Sequence, residues 1–203
     1  MSDDAGEAQP AREKWNQRYA EKGLTPFPDR PSQWLRENHE LLGRPAGRRA
    51  LDVACGDGRN SLYLAGHGFT VDAVDVSDVA VAALQAAAAE RGLPVDARVV
   101  DIEREPLPVA RYDVVVQINY LQRDLFGALE RALTPGGLLI VETVARAHVG
   151  ELGHRFDPRF VLDEGELLRA FPDLLVRHYW EGVAERSGRP RGVASLVAER
   201  RVI

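Results

Sequence analysis

Residues 51–61 read Leu51-Asp52-Val53-Ala54-Cys55-Gly56-Asp57-Gly58-Arg59-Asn60-Ser61. The apolar residues from Ala50 to Ala54 predict a short buried strand. Small residues at Ala54 and Gly56 permit a sharp turn, and Gly58 opens a helix expected to run from about Arg59 to Gly66. With no side chains in the way, backbone N–H groups of such a loop approach a ligand closely and meet it with the positive end of the helix. In a doubly wound sheet, the carboxyl end of the first strand is where ligands bind.

A pair of glycines is a weak signal alone, and the next strand strengthens it. Thr70 to Val74 reads as a second strand and ends in Asp75, seventeen residues after Gly58. An acid at this offset accepts hydrogen bonds from the hydroxyls of a ribose. The competing role for Asp75, capping the following helix, falls more naturally to Ser77. Nicotinamide-binding loops carry a third glycine that packs helix on strand. Ser61 stands there instead, which speaks against a dehydrogenase.

Outward from this centre, strands and helices alternate. Ser77 caps a helix to about Arg91, and Val95–Val100, Tyr112–Ile118 and Leu138–Glu142 supply three more strands. A helix is expected over Leu121–Leu133, stopped by Thr134-Pro135-Gly136-Gly137. Strands joined through helices pair in parallel with right-handed crossovers. After a helix over about 164–171 the rhythm changes. Leu174–Tyr179 and Val193–Arg200 form an antiparallel hairpin at the sheet edge, with Ser187-Gly188-Arg189-Pro190 in its turn. Upstream, an amphipathic helix over 13–22 sets Trp15, Arg18 and Tyr19 on one face. A proline-rich stretch over 25–31 follows, and Ser32 caps a helix to about Leu42. The fold class is α/β: a single-domain, doubly wound, Rossmann-like sheet of seven strands, the last antiparallel, with helices on both faces. Residues 1–9 are expected to be disordered, and 10–203 to form one domain with a helical lid over about 13–42.

The 203 residues suit one core, and 45% hydrophobic with 28% charged residues is ordinary for a globular protein. A net charge of -5 leaves no electrostatic footprint for nucleic acid or an anionic membrane. A single cysteine rules out an intrachain disulfide or a cysteine-based zinc site. No apolar run is long enough to span a bilayer, and the acidic N-terminus is unlike a signal peptide. A cytoplasmic protein, monomer or homodimer, is expected, without nucleic-acid or membrane partners.

Asp52 stands four residues before Gly56, giving Asp-x-Ala-x-Gly-x-Gly. This resembles the first motif of the class I S-adenosylmethionine-dependent methyltransferases, and the resemblance continues along the chain. Arg98-Val99-Val100-Asp101-Ile102 is similar to the family's third strand, Tyr112 to Gln117 to its fourth, and Leu133 to Glu142 to the turn into its fifth. Within the family, Pro31-Ser32-Gln33-Trp34-Leu35, Cys55 to Asn60, Tyr120-Leu121-Gln122-Arg123 and Gly165-Glu166-Leu167 resemble small bacterial methyltransferases of the tellurite-resistance type. The resemblance implies S-adenosylmethionine as cofactor. Its site would comprise Asp52, Ala54, Cys55, Gly56, Asp57, Gly58 and Asn60 in the loop, with Asp75 and Val76 at the ribose. Asp101 and Ile102 would lie at the adenine, Gln117 on the fourth strand, and Arg18 and Tyr19 over the methionine end.

The acceptor, a small molecule, is expected after the fourth and fifth strands. Tyr120, Arg123, Arg146 and Arg155 are the candidate contacts, since arginines at such a rim suit an anion. His148 is the candidate catalytic base, on position alone. His148, His154 and Asp157 match no compact zinc spacing, so no metal is expected. Cys55 is read as a packed apolar residue rather than a nucleophile. A soft nucleophile such as a thiol, tellurite or selenite needs little proton chemistry. A hydroxyl or amine acceptor would call on His148 as base. A protein that binds the cofactor without catalysis is the alternative of a different class, and a nucleic-acid methyltransferase is disfavoured by charge and by Gln117-Ile118-Asn119-Tyr120 after the fourth strand.

Overall fold

The computed structural model describes residues 8–22, 30–43 and 47–202. Most of the proline-rich stretch, and residues 1–7 of the expected disordered N-terminus, lie outside the described residues. Residues 8 and 9 already belong to the first helix. Among the described residues, seven strands form one sheet in the order β3-β2-β1-β4-β5-β7-β6. Two compact units share the chain, residues 1–31 with 45–106 and residues 32–44 with 107–203.

The first unit contains α1 (Ala8–Lys22), β1 (Arg49–Val53), α3 (Arg59–Gly66), β2 (Thr70–Asp75), α4 (Asp78–Arg91) and β3 (Val95–Val99). The strands β1, β2 and β3 pair in parallel, Asp52 beside Ala73 and Ala73 beside Ala97. Apolar side chains of α3 and α4 are buried with them, among them Leu62, Leu64, Val81 and Leu84. Helix α4 starts where Ser77 Oγ accepts from Ala80 N at 3.2 Å and stops at Gly92 in the left-handed conformation, a paired start and stop signal written in sequence.

The second unit contains α2 (Gln33–Glu37), β4 (Tyr112–Ile118), α5 (Phe126–Ala132), β5 (Leu133–Val144), α6 (Arg146–Gly150), α7 (Glu166–Ala170), β6 (Leu174–Arg186) and β7 (Arg189–Arg200). The helix expected to reach Leu42 breaks at Asn38, whose side-chain and backbone N–H groups both donate to Trp34 O. A 3₁₀ turn, His39–Leu42, continues the chain; a short amide side chain competing for a helix carbonyl has this effect. This segment packs on the terminal hairpin: Trp34 Nε1 donates to Leu196 O at 3.4 Å, and the Trp34 and His178 rings lie 4.4 Å apart. The helix expected over 121–133 is shorter, a 3₁₀ turn at Arg123–Leu125 leading into α5. Thr134-Pro135-Gly136-Gly137 does interrupt the chain, but as a bulge within β5, between the pairs Tyr112–Leu133 and Val114–Leu138.

The hairpin is longer than its apolar core suggested. Ser187 and Gly188 alone make the turn, at φ 54° and 74°, the doubly left-handed geometry of tight hairpins. Strands β4 and β5 are parallel, and β7 is antiparallel to both β5 and β6. The hairpin tip therefore projects beyond the carboxyl end of β5. Arg189 lies six residues along β7 from Ser195, about 20 Å if extended. Yet Arg186, paired with Arg189, bonds the Glu142 carboxylate that also accepts from Ser195. The ribbon must coil back over β5 to bring those groups together.

Candidate active site

The loop after β1 turns through left-handed residues at Ala54 (φ 54°), Gly56 (φ 56°) and Gly58 (φ 81°). An added Cβ at Gly58 would fall 2.2 Å from Leu84 Cδ1, so α3 sits against α4 more closely than any side chain permits. At Gly56 it would fall 2.6 Å from the Tyr19 hydroxyl, which α1 carries into the loop. Tyr19 is held above its ordinary pKa by burial first, then by Asp75 and Asp57.

Asp75 is 7% exposed at the end of β2. Its Oδ2 accepts from Gly56 N at 2.8 Å and its Oδ1 from Ser77 N at 2.9 Å. The carboxylate is thus anchored from both sides against the glycine loop, and Ser77 does the helix capping. Burial pushes its pKa up. Asp52 has a different place. It is 1% exposed and accepts from Ser61 Oγ at 2.6 Å, tying the end of β1 to the first turn of α3. Burial raises its pKa to about 7. Ser61, where a dehydrogenase would carry glycine, is that buried carboxylate's donor. The Cys55 thiol is buried and pushed well up, by burial first and then by Asp52 and Asp75.

The remaining nucleoside-side residues are less committed to the loop. Asp101 closes the turn after β3, accepting from Glu103 N at 3.1 Å and pairing with Arg104 at 3.3 Å, while Ile102 is buried beside it. Val76 is half-buried, Asn60 buried, and the Asp57 pKa is raised by burial. Arg18 lies over the Trp15 ring, 4.9 Å from its centre. The anchoring of α1 went unseen in sequence. Asn16 donates to Asp78 and accepts from Ser77 Oγ, and Arg12 pairs with Asp78 at 2.7 Å. Arg12, Asn16 and Tyr19 share one helical face, which was the available signal.

In the second unit, the Gln117 side chain on β4 is 0% exposed, and neither its amide nitrogen nor its oxygen has a hydrogen-bond partner. Buried amides are almost always satisfied, which sets this one apart from the other buried polar groups of β4. Tyr120 is half-buried and Arg155 exposed. Arg123 does not address an acceptor: its guanidinium grips Glu166 at 2.6 and 2.9 Å and donates to the carbonyls of Arg159 and Val161. Arg146 pairs with Asp163 on the exposed surface.

His148 is buried on α6, an element absent from the sequence reading. Its Nδ1 accepts from Gly192 N at 3.3 Å, and its Nε2 faces His154 Nδ1 at 3.3 Å. A neutral imidazole has one lone pair, and the Gly192 N–H takes it, placing the proton on Nε2 toward His154. Burial, His154 and Arg191 lower the pKa of His148. This arrangement opposes the base role that position alone suggested. Among the described residues no group of three His, Cys, Asp or Glu side chains could hold a metal ion.

A family model described as a methyltransferase domain matches residues 50–137. A ubiquinone biosynthesis O-methyltransferase of Marinobacter nauticus is 34% identical over 109 residues, 50% of this chain and 46% of its own length. An S-adenosyl-L-methionine-dependent Diels-Alderase, iccD, of Talaromyces variabilis is 35% identical over 136 residues, 60% and 46% of the two chains. The chain thus spans about half the length of these relatives. Among solved structures, TehB from Haemophilus influenzae superposes with a TM-score of 0.73 at 19% identity, over 92% of this chain and 67% of that one. The [4+2]-cyclase SpnF gives 0.68 at 22% identity, over 83% and 81%. The glycine cradle and the anchored Asp75 fit the nucleoside that the fold implies. Residues 50–137 thus match a methyltransferase domain, and the chain has the fold of solved S-adenosylmethionine-dependent methyltransferases.

Proposed function

We propose that the chain transfers a methyl group from S-adenosylmethionine to a small-molecule nucleophile, acting in the cytoplasm as a monomer or homodimer. The carrying observation is Asp75, buried and fixed by the N–H groups of Gly56 and Ser77, so that its outer lone pairs meet a ribose diol without rearrangement. Asp101, Ile102 and Val76 would line the adenine and ribose, and Tyr19 the far end of the loop. The cofactor supplies an activated sulfonium methyl. The protein's own task is then to orient and desolvate the acceptor.

A soft acceptor such as a thiol, tellurite or selenite fits best. The His148 lone pair is engaged by Gly192, which favours an acceptor that needs no base. The structural likeness to TehB supports this reading, whereas the O-methyltransferase relatives favour a hydroxyl. The test is transfer of labelled methyl to a panel of thiols, chalcogen oxyanions, phenols and amines. Turnover only on phenols or amines would overturn the soft-acceptor reading. Cofactor binding without transfer to anything would leave a non-catalytic binding protein.

A further inference from the structure

Helix α1 is seated beside the cofactor loop without an apolar stripe to hold it there. Over residues 11–21 none of its side chains is fully buried: Trp15, Asn16 and Tyr19 are half-buried and the rest exposed. Its two aromatic rings lie against each other, 5.9 Å apart, and Arg18 stacks on Trp15. A helix in a globular domain ordinarily holds by burying one face. Polar side chains do that work for α1. Arg12 Nη2 donates to Asp78 Oδ2 at 2.7 Å. Asn16 Nδ2 donates to the other oxygen of the same carboxylate, and Asn16 Oδ1 accepts from Ser77 Oγ at 2.6 Å.

Those contacts fall on Ser77, the N-cap of α4, and on Asp78, its first residue. The same turn carries Asp75. Ser77 N donates to Asp75 Oδ1 at 2.9 Å, and Asp75 Oδ2 accepts from Gly56 N at 2.8 Å. A continuous series of bonded residues therefore runs from Gly56 through Asp75 and Ser77 to Asn16 on α1. Three residues beyond Asn16, on the same helical face, Tyr19 lies against the loop, where a Cβ at Gly56 would stand 2.6 Å from its hydroxyl. One end of this face thus covers the loop and the other fastens the helix. Exposed polar bonds are worth little singly, and a segment with few buried apolar contacts opens at low cost. Such a fastening suits repeated release.

We propose that α1 is a gate over the cofactor loop, latched at the start of α4, and that Asp78 is the positioning residue that sets the rate at which S-adenosylmethionine enters and leaves. Asp78 acts at one remove from the cofactor: through Arg12 and Asn16 it fixes the helix that carries Tyr19. The positive end of α4 favours an acid at this position, so the latch keeps its charge. Opening of elements that close over a ligand commonly sets the rate of exchange. The inference rests on the function proposed above, since it names the control of access to that site.

The experiment is stopped-flow measurement of S-adenosylhomocysteine binding and release by the full chain, followed by tryptophan fluorescence, together with hydrogen exchange along α1 of the protein alone. Asp78→Ala should raise the association and dissociation rates together, each about three- to thirtyfold, as expected for losing two exposed bonds. Affinity should change less than either rate. Asp78→Asn keeps an acceptor for Asn16 and should fall between. Arg12→Met combined with Asn16→Ala leaves α4 intact and should match Asp78→Ala, and adding Asp78→Ala to that pair should change little further. Amides of α1 should exchange faster by a similar factor in these variants. Raising salt should speed both rates in wild type and leave the α1 double variant nearly unaffected. Arg177→Met breaks a comparable exposed pair with Glu199 on the hairpin and should behave as wild type. Unchanged rates in the folded variants overturn the proposal and leave Asp78 a structural residue. Faster dissociation with unchanged association also overturns it, making α1 a cofactor contact rather than a gate. Failure of wild type to bind S-adenosylhomocysteine would instead sink the function proposed above. Equal hydrogen exchange of α1 in wild type and Asp78→Ala overturns the latch in either case.

Discussion

Two carboxylates at neighbouring strand ends divide the work of the loop between them. Asp52 points inward to Ser61, and Asp75, also buried, stands against the loop with both oxygens anchored by backbone N–H groups. Replacing Asp75 with alanine should remove charge-assisted bonds to the ribose worth about 1.5–3 kcal/mol, or roughly ten- to a hundredfold in S-adenosylmethionine affinity. Calorimetric titration of the variant reads this directly, and unchanged affinity would withdraw the ribose from Asp75. Cys55 is buried, and burial first, then the two carboxylates, push its thiol up in pKa. A thiol held protonated is a poor nucleophile. Cys55→Ala should therefore keep most methyl transfer, and the native thiol should resist iodoacetamide until the chain unfolds. Loss of turnover by orders of magnitude in a folded, cofactor-binding variant would restore Cys55 to the chemistry.

At the scale of elements, the long β6–β7 hairpin is the least ordinary part of the fold. Its tip is held by Arg186, Glu142 and Ser195, 9%, 3% and 0% exposed. A lone charge left in such a place is costly. Arg186→Met should destabilise the protein by about 3–5 kcal/mol, because Glu142 remains buried without its counter-ion. Arg186→Met combined with Glu142→Leu should recover most of that loss. Denaturant unfolding of the single and double variants measures the coupling; additive losses would show that the pair does not act as a unit. Helix α1 contrasts with the hairpin. It is fixed by exposed or half-exposed polar bonds from Arg12 and Asn16 to the start of α4, interactions of small individual worth.

Over the whole molecule, buried carboxylates set the response to pH. Asp52 rises from an ordinary 3.8 to about 7 in the folded chain, and Asp75 also rises. The folded state then binds protons that the unfolded state releases. Their contribution to stability is complete below about pH 3.8 and is lost as pH climbs through the folded values. Asp78, lowered to about 2 by its bonds to Arg12 and Asn16, works the other way, with stability lost only as pH falls toward 2. Thermal melts of the ligand-free protein should therefore show stability declining between about pH 4 and pH 7. Asp52→Asn keeps an acceptor for Ser61 and should flatten that decline. Parallel pH curves for wild type and variant would remove Asp52 as its source.

Much of the sheet could be read from the sequence because its signals are local. Tyr112–Ile118 and Arg59–Gly66 have the expected bounds, each a run whose periodicity and end signals agree. The glycine loop, Asp75 and the Ser77 cap were legible for the same reason: turn chemistry and caps act within a few residues. The short α6 and the full length of the hairpin were not, since each depends on what packs against it; the break at Asn38 has a local cause, its amide donating to Trp34 O, that the apolar pattern of the segment masked. The same limit governed the arginines. Sequence placed Arg123 and Arg146 beside the expected acceptor by strand order alone, and Arg191 lay far away in the chain. That Arg123 meets Glu166 and that Arg191 reaches Asn119 at the end of β4 are both contacts between segments far apart in the chain. Local residue chemistry therefore determined the strand-and-helix order and the cofactor loop. How the arginines expected at the acceptor are paired was decided by tertiary structure alone, because charges choose partners by distance in space.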